Sequence, residues 1–442
     1  MILATLALLA PLAAAAPPPP NLVFVMADDL GYGELGCYGQ RTIPTPHLDR
    51  LAAEGLRFTS AYAGSTVCAP SRCVLMTGLH TGHCRVRGNA RVPLEPEDVT
   101  VAEVLRDAGY RTGIFGKWGL GEPGSTGVPT RQGFDEWFGY LNQRHAHNYY
   151  PEYLWSNEEK VPLENVAEGG VATEAVTYSH DLVMERTLSF LERGADRPYF
   201  AYVALTLPHV NNERARATGD GMEVPDYGPF ADRDWPAPEK GRAMMIHLVD
   251  QAVGRIVETL ARTGVDERTF VFFTSDNGAQ QEGGSKIAFF DSSGPLRGYK
   301  RALYEGGIRV PMIVRGPGVA APGTSNDTPW AFEDVLPTLA ELAGATPPAG
   351  IDGRSVVPLL RGGPFPADRP LYWEFHEGSF KQAMRVGDLK AVVPKRGAAI
   401  ELYDLAADLG EERDLAADRP ADVARFERLL RSSRTPSRHW RR

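Results

Sequence analysis

The chain has 442 residues, of which 43% are hydrophobic and 23% are charged. This composition is typical of a soluble globular protein and excludes a disordered, collagen-like or membrane-dominated chain. The formal net charge of −9 argues against a broad cationic surface, so we expect no nucleic-acid partner. The length exceeds that of most single cores and predicts one large domain with a smaller appendage.

The first residues form a separate, apolar segment. Residues 1–16 (MILATLALLAPLAAAA) end in small side chains, which predicts a signal peptide and a secreted or periplasmic protein. The segment carries no Lys or Arg, and the alternative is an uncleaved N-terminal anchor. No later stretch has the roughly 20 apolar residues of a membrane span, so we expect no transmembrane domain in the mature chain.

Strand-like and helix-like segments alternate along most of the chain. Residues 21–27 (NLVFVMA) are almost entirely apolar and predict a buried strand. The segments that follow are helices over 47–58, 101–110 and around 244–262, and strands within 111–120, 198–209 and 269–275. This alternation predicts an α/β fold with a large mixed, mainly parallel sheet sandwiched by helices.

The composition changes near Gly362, where a turn-rich linker begins. Beyond it, short strand-like runs and a terminal helix predict a small antiparallel sheet plus helix. We therefore expect a large domain over 21–362 and a C-terminal α+β subdomain over 363–442. The basic residues 431–442 predict a solvated, frayed terminus.

Two of the predicted buried strands end in adjacent oxygen-bearing side chains. Asp28 and Asp29 follow the first strand, and Asp276 and Asn277 follow the strand over 269–275. Ligands of open α/β sheets bind outside the carboxyl ends of the strands, and an all-oxygen set suits Ca²⁺ or Mg²⁺. Either pair alone is equally consistent with a helix cap or a turn. The coincidence of two such strand ends favours a metal site.

A cysteine stands at a predicted helix start in Cys68-Ala69-Pro70-Ser71-Arg72. A proline favours the first turn of a helix, so the Cys68 thiol would lie at the positive end of the helix dipole. Together with Arg72, this position predicts a lowered thiol pKa and a thiolate nucleophile. The alternative is a buried, inert cysteine. If chemistry consumes Cys68, the remaining Cys37, Cys73 and Cys84 allow at most one intrachain disulfide.

The segment CAPSRCVLMTG resembles the sulfatase signature C-x-P-S-R followed by T-G, in which the cysteine is converted to formylglycine (3-oxoalanine). The motifs VMADDLGYGELGCYG, GIFGKWGLG, LPH, FFTSDNGA, RGYKRALYEGGIRVP and ELYDLAADLGEERDL occur in the order that sulfatases show them. The chain is thereby identified as a member of the formylglycine-dependent, arylsulfatase-like type I sulfatases, with an alkaline-phosphatase-like fold and a catalytic domain over 21–362.

The resemblance implies a role for individual residues. The metal ligands implied are Asp28, Asp29, Asp276, Asn277 and the modified Cys68, usually around Ca²⁺, with Mg²⁺ possible. Arg72 matches the arginine that steadies the aldehyde hydrate, and Lys117 and Lys300 match the lysines that clamp the sulfate oxygens. His209 matches the histidine near the leaving-group oxygen. His147 is the best match to a second sulfate-contacting histidine, with His145 as a close competitor.

One position departs from the family pattern. Many sulfatases carry a histidine two residues after the Lys117 position, where this chain has Gly119. Glycine transfers no proton. We therefore hypothesise that His147 supports removal of the proton from the sulfated aldehyde hydrate at residue 68, which helps to expel sulfate.

The function implied is hydrolysis of aryl or carbohydrate sulfate esters, after maturation of Cys68 by a formylglycine-generating enzyme. A phosphatase or phosphodiesterase of the same superfamily is the first alternative, although it would usually need Ser or Thr as nucleophile and a second metal set. A non-catalytic binder of sulfated glycans would result if Cys68 is not matured. The nearby aromatics Tyr149, Tyr150, Tyr153 and Trp155 either stack on a substrate ring or serve in packing.

Overall fold

The computed structural model describes residues 18–193 and 197–441. The predicted signal peptide at 1–16 lies outside these residues. Within the described ranges, no helix has the length and apolar character needed to cross a membrane.

A ten-stranded mixed sheet forms the centre of the molecule. The strands of the large domain are β1 (Asn21–Ala27), β2 (Leu56–Phe58), β3 (Ala61–Tyr62), β4 (Arg111–Lys117), β5 (Glu136–Tyr140), β6 (Tyr153–Ser156), β7 (Glu159–Pro162), β8 (Val166–Glu168), β9 (Val171–Glu174), β10 (Tyr199–Ala204), β11 (Thr269–Ser275), β12 (Met312–Arg315), β13 (Thr324–Asn326) and β14 (Trp330–Ala331). The sheet order is β13-β2-β12-β11-β1-β10-β4-β5-β6-β7, and the five strands from β11 to β5 are parallel.

Helices cover both faces of this sheet. They are α1 (Pro46–Glu54), α2 (Cys68–Thr77), α3 (Val101–Asp107), α4 (Ser179–Glu192), α5 (Asn212–Thr218), α6 (Ala237–Arg262), α7 (Ile287–Phe290), α8 (Glu305–Ile308), α9 (Val335–Leu342), α10 (Val357–Leu360) and α11 (Pro420–Ser432). Along β1, Leu22, Phe24 and Met26 pack into the core that holds α2, α3 and α9, while the intervening side chains pack into the core that holds α1, α4 and α6. The predicted α/β sandwich is therefore confirmed.

The predicted elements agree with the structure in type, but helix ends differ: α3 ends at Asp107 and not at 110, and α6 already begins at Ala237. We expected a single helix over 47–58, but α1 ends at Glu54, and residues after Gly55 form strand β2. Glycine has a low helix propensity, and the β2 backbone gains hydrogen-bonded pairing with β12 and β13. Tertiary pairing decided the conformation of these three residues.

The C-terminal part is a four-stranded antiparallel sheet with one helix, as predicted. Its strands are β15 (Leu371–Phe375), β16 (Lys381–Val386), β17 (Leu389–Val393) and β18 (Glu401–Asp404), and α11 packs on it through Phe426 and Leu430. A buried ionic cluster joins this sheet to the large domain, because Lys390 Nζ lies 2.8 Å from carboxylate oxygens of both Glu305 and Glu411.

Most of residues 431–441 are exposed, as predicted, but the prediction of a frayed terminus is wrong, because two side chains anchor this segment. Trp440 is 9% exposed and its indole N–H donates to the carbonyl of Arg85 over 2.7 Å. Arg434 donates to Glu374 over 2.8 Å. The Trp440 contact anchors the tail on the large domain, and the Arg434 contact anchors it on strand β15 of the C-terminal sheet.

Candidate active site

The two strand ends named above lie next to each other. Strands β1 and β11 pair in parallel, with Ala27 opposite Ser275, so the residues that follow them meet at one edge of the sheet. The backbone N–H of Asp29 donates to Asp276 Oδ1 over 3.1 Å, and Asn277 Nδ2 donates to Asp29 Oδ1 over 2.7 Å. Asp28, Asp29, Asp276 and Asn277 are all fully buried. Asp29 also has a φ of +66°, an unusual conformation that occurs preferentially at functional sites.

Three buried carboxyl groups at one point repel one another, and nearby cations oppose this repulsion. Burial disfavours the charged form of Asp28, but the charges of Lys117 and Arg72 outweigh it and hold the pKa of Asp28 well below its usual range. Burial raises the pKa of Asp276, and the charge of Asp28 raises it further. The cluster therefore combines concentrated negative charge with a ring of positive side chains.

Cys68 is the first residue of α2, and it faces this cluster. Its Sγ–H donates to Asp28 Oδ1 over 3.3 Å. The prediction of a lowered thiol pKa is wrong. Burial raises the pKa of Cys68 well above its usual value, and the neighbouring Asp276 and Asp28 raise it further. The positive end of the helix does not compensate for two adjacent carboxylates, so the unmodified thiol is a poor nucleophile here.

Arg72 lies one helical turn after Cys68 and extends toward the carboxylates. Its guanidinium donates twice to Asp276 Oδ2, over 3.1 and 2.8 Å, and lies 3.5 Å from Asp28. The charge of Arg72 is therefore directed at the carboxylates that surround residue 68 and not at the thiol alone. For this reason Arg72 lowers the pKa of the Cys68 thiol less than its position in the sequence suggested.

Two buried lysines contact the carboxylates from opposite sides. Lys117 ends strand β4, and its Nζ lies 2.6 Å from Asp28 Oδ2. Lys300 lies in the loop before α8, and its Nζ lies 2.7 Å from Asp29 Oδ2. Burial disfavours the charged forms, but the Asp partners raise the pKa of both lysines. Both side chains therefore remain cationic near neutral pH.

His209 follows strand β10 and forms a pair with Lys300. Its Nδ1 lies 2.7 Å from the carbonyl of Val210, and its Nε2 lies 3.2 Å from Lys300 Nζ. The carbonyl accepts only, so Nδ1 carries the proton and Nε2 is an acceptor in the neutral ring. Burial and the charge of Lys300 hold the pKa of His209 well below its usual value.

The two remaining candidate histidines occupy different environments. His147 lines the pocket, stacks on the ring of His209 at 4.9 Å between centroids, and places Nδ1 3.0 Å from Glu213 Oε2. His145 packs against the rings of Tyr140 and Tyr153 and does not line the pocket above Cys68. His147 therefore lies with the other site residues, whereas His145 does not.

A pocket of about 630 Å³ opens above the cluster. Its floor includes Cys68, His209 and Lys300, and its charged rim residues are Arg91, Glu122, Arg144, Glu213, Arg216, Glu282 and Arg301. Sequence analysis missed this rim and also missed Gln143, which lines the same pocket. None of these residues belongs to a sequence motif, so only the fold identifies them as pocket residues.

Three of the four aromatic residues named in the sequence serve in packing, whereas Tyr153 is half-buried and lines an adjacent pocket. Tyr149 and Tyr150 are buried beside Tyr178, and Trp155 stacks on Trp137. None of these side chains lines the pocket above Cys68. All four cysteines belong to the described residues and are free thiols.

Comparisons with known proteins agree with this geometry. The family model described as Sulfatase matches residues 20–345, and the model described as N-sulphoglucosamine sulphohydrolase, C-terminal, matches residues 297–427. Human arylsulfatase A is 34% identical, over 93% of this chain and 85% of its own length. N-acetylgalactosamine-6-sulfatase from dog is 32% identical, over 86% of this chain and 72% of its own length.

Solved structures give the same result. The crystal structure of Ps i-CgsB in complex with k-i-k-neocarrahexaose superposes with a TM-score of 0.80 at 25% identity, over 94% of each chain. Phosphonate monoester hydrolase of Agrobacterium radiobacter superposes with a TM-score of 0.67 at 23% identity, over 94% of this chain and 95% of its own, and this likeness concerns the fold alone.

The fold and the cluster of carboxylates, lysines and Cys68 define a hydrolase of the alkaline-phosphatase-like superfamily. Within it, the chain belongs to the sulfatase family and is a sulfuric ester hydrolase.

Proposed function

We propose that the protein is an exported, formylglycine-dependent sulfatase that hydrolyses sulfate monoesters of aryl or carbohydrate alcohols. The observation that carries this proposal is the position of Cys68 within C-A-P-S-R, at the floor of a pocket and facing buried carboxylates that two buried lysines contact. Relatives named arylsulfatase A and N-acetylgalactosamine-6-sulfatase, and a neighbour in complex with a neocarrahexaose, support these substrate classes.

The residues at the strand ends fit one hard divalent cation. Asn277 donates its amide N–H groups to Asp29 and to the carbonyl of Gly278, which leaves its buried Oδ1 without a hydrogen-bond donor. Ligand atoms of Asp28, Asp29 and residue 68 lie within 4.8 Å of one another. We assign Ca²⁺, with Mg²⁺ as the alternative, to Asp28, Asp29, Asp276, Asn277 and residue 68, because oxygen donors suit these ions. The ion would neutralise negative charge at residue 68, and formylglycine would supply the attacking oxygen.

The remaining side chains act on the ester. A sulfate monoester has one negative charge over three oxygens, so catalysis requires positioning and neutralisation more than covalent work. Lys117 and Lys300 bind the sulfate oxygens, and Arg72 holds the carboxylates in place around residue 68. Lys300 donates to His209 Nε2, so this pair holds a proton near the leaving-group oxygen.

Maturation and export belong to the same proposal. The thiol of Cys68 is oxidised to an aldehyde by a formylglycine-generating enzyme, and residues 1–16 direct the protein to the periplasm or to secretion. On this proposal the catalytic domain spans 21–362 and the C-terminal α+β subdomain spans 363–442.

The proposal is tested with sulfate and phosphate esters of the same alcohols. We expect the Ca²⁺-loaded, matured protein to release sulfate from aryl sulfates or from members of a panel of sulfated mono- and oligosaccharides. We expect a lower kcat/KM for each matched phosphate monoester, because the second negative charge of a phosphate exceeds what the floor cations neutralise. Higher kcat/KM values for the phosphates, or an inert matured protein, would contradict the proposal.

We assign the proton removal that expels sulfate to His147. Its Nδ1 contact with Glu213 leaves Nε2 as the free acceptor beside His209. His147→Ala should reduce steady-state turnover by roughly 10²–10⁴-fold, while rapid-quench experiments still show a first burst of released alcohol.

His145→Ala is the matched control, because this ring packs between tyrosines away from Cys68. It should retain the parent kcat. Turnover of His147→Ala at the parent rate, with no burst, would assign the step to another group.

A further inference from the structure

The side chain of Gln143 occupies the space that a side chain at position 119 would need. Gly119 has a φ of +82°, and a Cβ atom built on it would lie 2.2 Å from Gln143 Nε2 and 3.8 Å from Arg72 Cδ. Two atoms at 2.2 Å overlap severely. Any side chain at position 119 would therefore have to displace the amide of Gln143, and the glycine leaves room for this amide.

The amide of Gln143 has no hydrogen-bond partner among the described residues, although both its Nε2 and its Oε1 are buried. Buried Gln40 shows the ordinary arrangement, because its Nε2 donates to two carbonyls and its Oε1 accepts from two backbone N–H groups. A buried amide without partners is destabilising. Gln143 retains its donor and acceptor while lining the pocket of Cys68, His147 and Lys300.

We infer that Gln143 is a substrate-contacting residue, which fills the place left open by Gly119 and donates an amide N–H to an oxygen of the sulfate ester. Sulfate oxygens accept hydrogen bonds and donate none, so the Nε2 group is the complementary partner. An amide transfers no proton at neutral pH, so Gln143 binds the ester and leaves proton transfer to other groups. This inference rests on the proposed function, because it assigns the ligand of the same pocket.

The test compares Gln143→Ala and Gln143→Glu with the parent, all matured and Ca²⁺-loaded. The alanine removes the donor, and the glutamate replaces it with a negative charge of nearly the same shape. We expect kcat/KM for the sulfate ester to fall roughly tenfold in Gln143→Ala and roughly a hundredfold in Gln143→Glu. The affinity for inorganic sulfate, measured by calorimetry and as product inhibition, should fall in the same order.

Gln251→Glu is the matched control, because the same charge change occurs on the exposed face of α6. It should leave sulfate affinity at the parent value. Metal content and thermal unfolding of every variant separate a lost contact from a lost fold.

A double-mutant cycle tests the steric part. Gly119→His should lower kcat/KM because the ring collides with Gln143, and adding Gln143→Ala should restore part of the loss, so the two effects are not additive. If Gln143→Glu keeps the parent sulfate affinity and kcat/KM, the inference is wrong while the proposed function stands. If the parent hydrolyses no sulfate ester but binds inorganic sulfate in a manner that depends on Gln143, the proposed function fails and the inference survives.

Discussion

Cys68→Ala and Cys68→Ser are each expected to lower sulfate-ester turnover by at least about 10³-fold. Neither side chain yields the aldehyde that the proposal places at residue 68. The unmodified thiol also makes a poor substitute, because burial and the neighbouring Asp276 and Asp28 raise its pKa well above the usual value. The parent protein, purified after export, should lack the thiol at residue 68 in peptide mass spectrometry and react there with an aldehyde-specific label.

Cys73→Ala is the matched control for these variants. Cys73 lies in the same helix and is equally buried, but it packs in the hydrophobic core and not at the pocket. It should keep the parent kcat and the aldehyde at residue 68. A fully active enzyme that carries an unmodified Cys68 would refute the formylglycine mechanism.

Asp276→Ala is expected to lose the cation and the activity together. Its carboxylate accepts the Asp29 backbone N–H and two hydrogen bonds from Arg72, so its removal leaves a buried guanidinium without its main partner. Removing one carboxylate also leaves a small oxygen shell under-coordinated. Turnover should fall by at least about 10³-fold, and elemental analysis should show less than one equivalent of Ca²⁺ or Mg²⁺.

Asp266→Ala provides the comparison at the other end of the same strand. Asp266 lies just before β11 and is 3.6 Å from Arg315 in a partly exposed ion pair. Its loss should change neither metal content nor kcat, because partly exposed pairs contribute little. Two equivalents of zinc in the parent protein, with no calcium or magnesium, would instead favour the phosphatase alternative.

The structure corrected three expectations for physical reasons that spacing does not contain. The pKa of Cys68 depends on carboxylates that are distant in sequence, and they outweigh the helix dipole. Residues 56–58 form strand β2 and not the end of the predicted helix, because β12 and β13 pair with them. The basic tail is anchored because the Trp440 ring packs against His376 and its indole N–H donates to the carbonyl of Arg85.

The sequence by itself determined the α/β class, the small C-terminal sheet and the sulfatase family. Apolar strands such as 21–27 and 269–275 and the C-A-P-S-R segment are local patterns, and local patterns suffice where burial on both faces of a sheet dictates the residue types. Only the tertiary structure decided which distant side chains meet. It paired His147 with Glu213, and it placed the amide of Gln143 where Gly119 leaves room. Such contacts depend on close packing between segments far apart in the chain, and no periodicity along the sequence records them.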